Sequence, residues 1–203
     1  MKIKHLSRLA LSLAALPLTL LACASDDETS TDTPRTDTPS IDTPSTGGAL
    51  RPEASFAGCE RGTLEPDLMT APLAGPAVRD GALLPGAYVV SSTYLQLKTD
   101  AASRQLFEEL VGPVLADLEN RPGLMALSLG SSDACGTLRT LGAWQDDAAM
   151  IGFVTSPAHL TAMSRVTDLS RGGSVVTHWL GDEAAADWRS AARQLAADDG
   201  PQY

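Results

Sequence analysis

Few residues in this chain have the type and spacing to do chemistry, and the clearest is the histidine in TSPAHLTAM, residues 155–163. Ser156 and Pro157 form a helix start: a side-chain oxygen accepts from free backbone N–H groups, and proline in the first turn gives up an N–H that has no helical partner anyway. From there His159, Ala162, Met163 and Val166 follow at i, i+3, i+4, i+7, which puts the imidazole on the apolar face. At the positive end of the helix the neutral ring is favoured, the form that serves as a general base or a metal ligand. The same position also suits a side chain that packs at the rim of a core and bonds a backbone carbonyl. His178, in SVVTHWL beside Trp179, is the second candidate base, and a structural place or a seam between copies would suit it equally.

Other chemistries lack their motifs. The chain has no GxGxxG, no P-loop, no GxSxG and no HExxH, so nucleotide binding, phosphoryl transfer and the common hydrolases have no support. Arg139, on a strand, could orient a carboxylate or pair with a neighbour, the pair being the simpler reading. Cys59 and Cys135 form an even pair in a chain that reads as exported, which favours a disulfide over a metal or redox site, and no CxxC occurs. On the chain-entropy account such a bond would contribute up to about 4 kcal/mol by closing a long loop.

The export reading comes from the N-terminus. Lys2, Lys4 and Arg8 precede an apolar run, Leu9 to Leu21, too short to span a bilayer, which is the pattern of a signal peptide over residues 1–22. Leu20-Leu21-Ala22-Cys23 resembles the lipobox of bacterial lipoproteins. That resemblance implies cleavage before Cys23 and lipidation of it, and more than one acyl chain gives stable anchoring in the cell envelope, with the outer membrane expected because Ala24 follows the cysteine. Cleavage would leave only two histidines, which rules out a closed His-rich zinc site and leaves two histidines with carboxylates as the remaining metal-binding alternative.

Residues 23–50 carry Thr31-Asp32-Thr33-Pro34, Thr36-Asp37-Thr38-Pro39 and Ile41-Asp42-Thr43-Pro44, a five-residue repeat with almost nothing apolar to bury. This reads as a disordered tether reaching on the order of 80 Å at polyproline rise. Without Lys2, Lys4 and Arg8 the formal charge goes from −10 to −13, so nucleic acid and anionic headgroups are poor partners.

Residues 51–85 are rich in Pro and Gly and read as irregular, and 86–198 as one domain of ordinary size. YVVSSTYLQLK alternates as a strand, with Val89, Leu95 and Leu97 on one face and Tyr88, Val90 and Tyr94 on the other. Asp100 starts a helix carrying Phe107, Leu110, Val111, Val114 and Leu118, with Pro113 predicting a kink. LMALSLG and GTLRTLGAW form a hairpin, Asp146 starts a helix that breaks and restarts at Ser156-Pro157, SVVTHWL is the last strand, and a helix with Trp188, Ala191, Ala192 and Leu195 closes the chain. Strand, helix, strand, strand, helix, strand is an α+β, ferredoxin-like βαββαβ plan: a four-stranded antiparallel sheet with both helices on one face, plus the extra C-terminal helix. The other face, with Tyr88, Val90 and Tyr94, is then left bare, and an exposed apolar face of that kind marks a partner surface or a ligand pocket.

With these elements in place the chain resembles the antibiotic biosynthesis monooxygenase type of dimeric α/β barrel. The likeness covers residues 86–180 and is carried by GAWQDDAAMIGFVTSPAHLTAM, in which Trp144, Asp146, Phe153, Ser156, Pro157 and His159 fall in the family's order. It implies a homodimer in which the bare sheet face meets its copy. It also implies a small aromatic substrate oxygenated without cofactor in a pocket walled by Tyr88, Tyr94, Trp144, Phe153 and Trp179, with His159 or His178 as base. Haem-degrading relatives use the helix histidine on iron together with a strand asparagine and a helix tryptophan. Here Ser91, Ser92 and Thr93 stand where the asparagine is wanted and Phe153 where the tryptophan is wanted, which argues against haem, and no metal is expected. A non-catalytic binding module on the same fold is the alternative.

Overall fold

The computed structural model describes Phe56 and residues 58–203; the expected signal peptide, the expected lipidation site Cys23 and the expected tether lie outside the described residues. Strand β1 spans Met69–Thr70, β2 Val78–Arg79, β3 Ala82–Leu83, β4 Ala87–Gln96, β5 Leu124–Ser132, β6 Thr137–Trp144 and β7 Val175–Asp182. Helix α1 spans Ala101–Glu119, α2 Asp147–Val154, α3 Pro157–Ser164, α4 Val166–Leu169 and α5 Trp188–Ala197. None of these helices is long and apolar enough to cross a membrane.

The strands form one antiparallel sheet in the order β1-β5-β6-β4-β7, and β2 and β3 form a separate hairpin. Without β1, the order β5-β6-β4-β7 is the split βαβ arrangement, in which each crossover helix skips one strand. The expected four-stranded sheet is thus a five-stranded one, because two residues of the N-terminal segment pair with the free edge of β5. Local signals set the helix starts. The side chain of Asp100 accepts from the Ser103 N–H and that of Asp146 from the Ala149 N–H, each filling a donor the helix cannot. Helix α1 runs through Pro113 without interruption.

The two sheet faces are packed differently. On the helix side Val89, Leu118, Leu124, Leu127, Trp144 and Met150 make a core beneath α1 and α2. On the other side Tyr88, Val90, Ala126, Leu141 and Ala143 are buried under Leu73, Ala77, Val78, Leu83 and α5, and Tyr94 packs with Val175 and Leu195. The face expected to be bare is therefore closed by the chain itself. Residues 59–84, within the stretch 51–85 expected to be irregular, form a cap over it that the Cys59–Cys135 disulfide ties down, and the packing continues across residue 86.

The cap is fixed at its N-terminal end by buried polar groups. Arg139, 1% exposed, sends Nε to both oxygens of Glu65 at 2.9 and 3.1 Å and Nη2 to the Thr63 carbonyl at 2.7 Å. A guanidinium this deep requires such partners, because an unpaired buried charge costs several kcal/mol. Its carbon stands 4.3 Å over the Tyr94 ring, and the Tyr94 hydroxyl donates to the Cys59 carbonyl at 2.9 Å. Cys59 and Cys135 are joined by a disulfide across a Cα separation of 5.5 Å. Further along, Asp80 and Gly81 both take positive φ, 52° and 78°, as the two-residue turn between β2 and β3 requires.

Candidate functional site

Trp144, Phe153 and His159 come together at one end of the helix-side face. Trp144 is the last residue of β6 and is 2% exposed. Phe153, near the end of α2, stacks on it with ring centroids 5.5 Å apart, and the His159 ring lies 4.7 Å beyond, tilted against Phe153. The break between α2 and α3 makes this row. After Thr155 the chain restarts at Ser156, whose side chain accepts from the His159 N–H at 3.4 Å, so Phe153 and His159 end up on facing sides of the break.

His159 Nδ1 lies 2.9 Å from the Val154 carbonyl oxygen. A carbonyl only accepts, so Nδ1 carries the proton, and in the neutral ring Nε2 keeps a free lone pair. Burial lowers the imidazole's pKa from its ordinary 6.5, against smaller upward pulls from the Val154 bond and from Asp117. Asp117 is held ionised, its pKa lowered first by the hydrogen bond from Arg121 and then by Ser156 and the nearby imidazole. The neutral ring with one fixed proton and one open nitrogen can take a proton from a bound molecule.

The sheet beneath the helix layer supplies a floor. Residues opposite one another on adjacent strands share a face, so Trp144, Val89 and Leu180 make one row across β6, β4 and β7. Gly142, Ser91 and His178 make the next, and Thr140, Thr93 and Val176 the third. The Trp144 indole N–H donates to Ser91 Oγ at 2.9 Å, and the Thr93 and Thr140 hydroxyls bond each other at 2.9 Å. Toward β7 this floor is open: Ser91 and Thr93 are half-buried, while His178 is exposed, as are Val176 and Leu180 at 44% and 78%. Helices α3 and α4 pack against α1, and the exposed side chains of Val176, His178 and Leu180 leave the β7 side of this face uncovered.

The expected site residues therefore divide. Trp144, Phe153 and His159 meet, and His178 lies on the same sheet face beside Ser91, with no contact joining the two imidazoles among the described residues. Tyr88, Tyr94 and Trp179, expected as pocket walls, lie on the opposite face. Tyr88 donates to the Leu84 carbonyl at 2.8 Å and is sealed under the cap, Tyr94 holds Cys59, and Trp179 packs into the capped core. The strand register puts them on the face away from Trp144, and the cap turns that face into interior. No residue of α3 is fully buried, so His159 sits half-exposed at the rim and not in the core its spacing suggested. Ser91 and Gly142 were missed as site residues. Their signal was the small-residue stretch opposite a strand ending in Trp.

Two solvent-open clefts lie elsewhere. One, of about 340 Å³, runs between α1 and α4 beside Ser103, Glu109 and Arg165, and the other, of about 380 Å³, lies beside Glu60, Arg61 and Gln96. Neither brings together a base and an apolar wall. Among the described residues no three His, Cys, Asp or Glu side chains stand close enough to hold a metal ion.

Comparison with protein-family profiles and with curated proteins finds no match. Among solved structures, a Fusobacterium nucleatum protein described as a candidate monooxygenase is similar at 10% identity and a TM-score of 0.44, over 57% of this chain and 50% of its own, so this chain spans half of its length. An antibiotic biosynthesis monooxygenase is similar at 12% identity and a TM-score of 0.40, over 45% of this chain and 95% of its own. SnoaB, a cofactor-independent oxygenase from Streptomyces nogalater, is similar at 18% identity and a TM-score of 0.36, over 47% of this chain and 92% of its own.

Proposed function

We propose that this chain is an exported, lipid-anchored protein of the bacterial cell envelope, and that its domain oxygenates a small aromatic molecule bound between the sheet and the helix layer. The observation that carries the reading is the Trp144–Phe153–His159 row, in which the half-buried Phe153 ring, backed by the buried Trp144, offers apolar contact beside a neutral imidazole whose Nε2 keeps its lone pair. Flat apolar contact with few polar groups is the usual make-up of a small-molecule site.

The chemistry suited to these groups draws its electrons from the substrate and needs no cofactor. His159 Nε2 takes a proton from an activated methylene of a hydroxyaryl ketone, and the carbanion passes an electron to dioxygen. The two radicals join as a peroxide anion, which takes the proton back from the imidazolium, and loss of water from the hydroperoxide leaves a carbonyl, with one oxygen atom in the product and the other in the water. Oxygen uptake with anthrone-type substrates tests it. His159→Ala is expected to lower the rate by about 10²- to 10⁴-fold, the range for a general base, and equal rates would discard the role.

A second reading, a non-catalytic binding module, is favoured by one observation: among the described residues the His159 ring is hydrogen-bonded to the Val154 carbonyl, the contact of a ring packed at the rim of a core. It predicts saturable binding of the same aromatics without oxygen uptake. One chain supplies every residue named here, so neither reading needs a second copy at the site.

A further inference from the structure

We propose that Ser91 determines specificity at this site, its hydroxyl donating a hydrogen bond to a neutral ketone or phenol oxygen on the edge of a flat aromatic ligand. The proposal rests on the reading that an aromatic molecule binds on the helix-side face. Ser91 Oγ accepts from the Trp144 indole at 2.9 Å. A hydroxyl that accepts one bond still has its own proton to donate, and no described residue accepts the one on Ser91. Thr93 and Thr140, one row along, satisfy each other instead.

The surroundings keep that proton available. Gly142 faces Ser91 across β6, and a Cβ there would stand 3.1 Å from Ser91 Oγ and 3.2 Å from Trp144 Nε1, tight enough to disturb the bond that aims the hydroxyl. On the other flank His178 faces Ser91 and is exposed, so the floor is open in that direction. The row above, Trp144, Val89 and Leu180, is apolar and suits a ring. No Lys or Arg stands in the three rows, so the donor is matched to a neutral oxygen and not to a carboxylate.

Calorimetric titration of the intact domain with 1-naphthol and with naphthalene, which differ by one hydroxyl, reads this directly. The wild type is expected to bind 1-naphthol about tenfold more tightly, the effect of one net hydrogen bond. Ser91→Ala should bring 1-naphthol down to the affinity of naphthalene while leaving naphthalene unchanged, and Ser91→Thr, which keeps the hydroxyl, should restore the preference. Should Ser91→Ala fail to fold, Ser91→Cys carries the comparison, because a thiol still accepts from the indole but donates weakly. A preference that survives in the variant lacking the hydroxyl overturns this proposal and leaves the aromatic site standing. Equal loss of both ligands also overturns it, since that is the mark of a structural role. A wild type that binds neither compound overturns the aromatic site itself.

Discussion

His159 couples the site to pH. Burial holds its pKa below the ordinary value of 6.5, so between the folded value and 6.5 the unfolded chain binds more protons than the folded one. The stability linked to this group is therefore complete above pH 6.5 and is lost as pH falls through the folded value. Melting temperatures between pH 8 and pH 4.5 should show a downward slope that His159→Gln, which does not titrate, makes shallower. Arg139 gives the largest expected effect of any single polar contact. Glu65→Gln leaves a guanidinium that is 1% exposed without its counter-charge, and a loss of about 3–5 kcal/mol is expected by urea unfolding. Replacing both partners with apolar residues of similar size should cost less, because neither buried charge then remains.

Among the elements, the cap is held by the disulfide, by the β1–β5 pairing and by Asp67, which accepts from Ser132 and from the Ala134 N–H. Replacing Cys59 and Cys135 with serine should lower stability by about 2–5 kcal/mol, measured as the shift in urea midpoint between the two proteins. Those other contacts should keep the cap seated in the variant, so its oxygen uptake or aromatic binding should stay close to that of the wild type. The starts of α1, α2 and α3 were legible because a cap is local: Asp100, Asp146 and Ser156 each serve an N–H three residues on. The βαββαβ order was legible because alternation and helical spacing change at each boundary. The cap was not legible, since Leu73, Ala77, Val78 and Leu83 follow no single period, and their burial depends on strands that come later in the chain. For the same reason Tyr88 and Tyr94 were read as facing a partner: the pattern shows that both faces of β4 are apolar, but not what covers each. Ser91 and Gly142 show their pairing only once register sets them opposite each other.

At the scale of the whole molecule, the surface through which a second copy was expected is already filled from within. Val90 and Ala126, both 0% exposed, are interior residues of a single chain. Light scattering on the protein lacking residues 1–50, at micromolar concentration, should therefore report a monomer. A dimer that persists on dilution would show that another surface, such as the exposed side of β7 with Val176 and Leu180, joins two copies. The site needs no such partner, so activity per chain should be independent of concentration. Where the cap begins has a mechanical consequence. Tension on the stretch preceding Cys59 would pass through the sulfur–sulfur link to Cys135, in the turn between β5 and β6, and from there into the hydrogen-bonded ladder. The load would reach the sheet first, and the helices that hold the imidazole would lie outside its path.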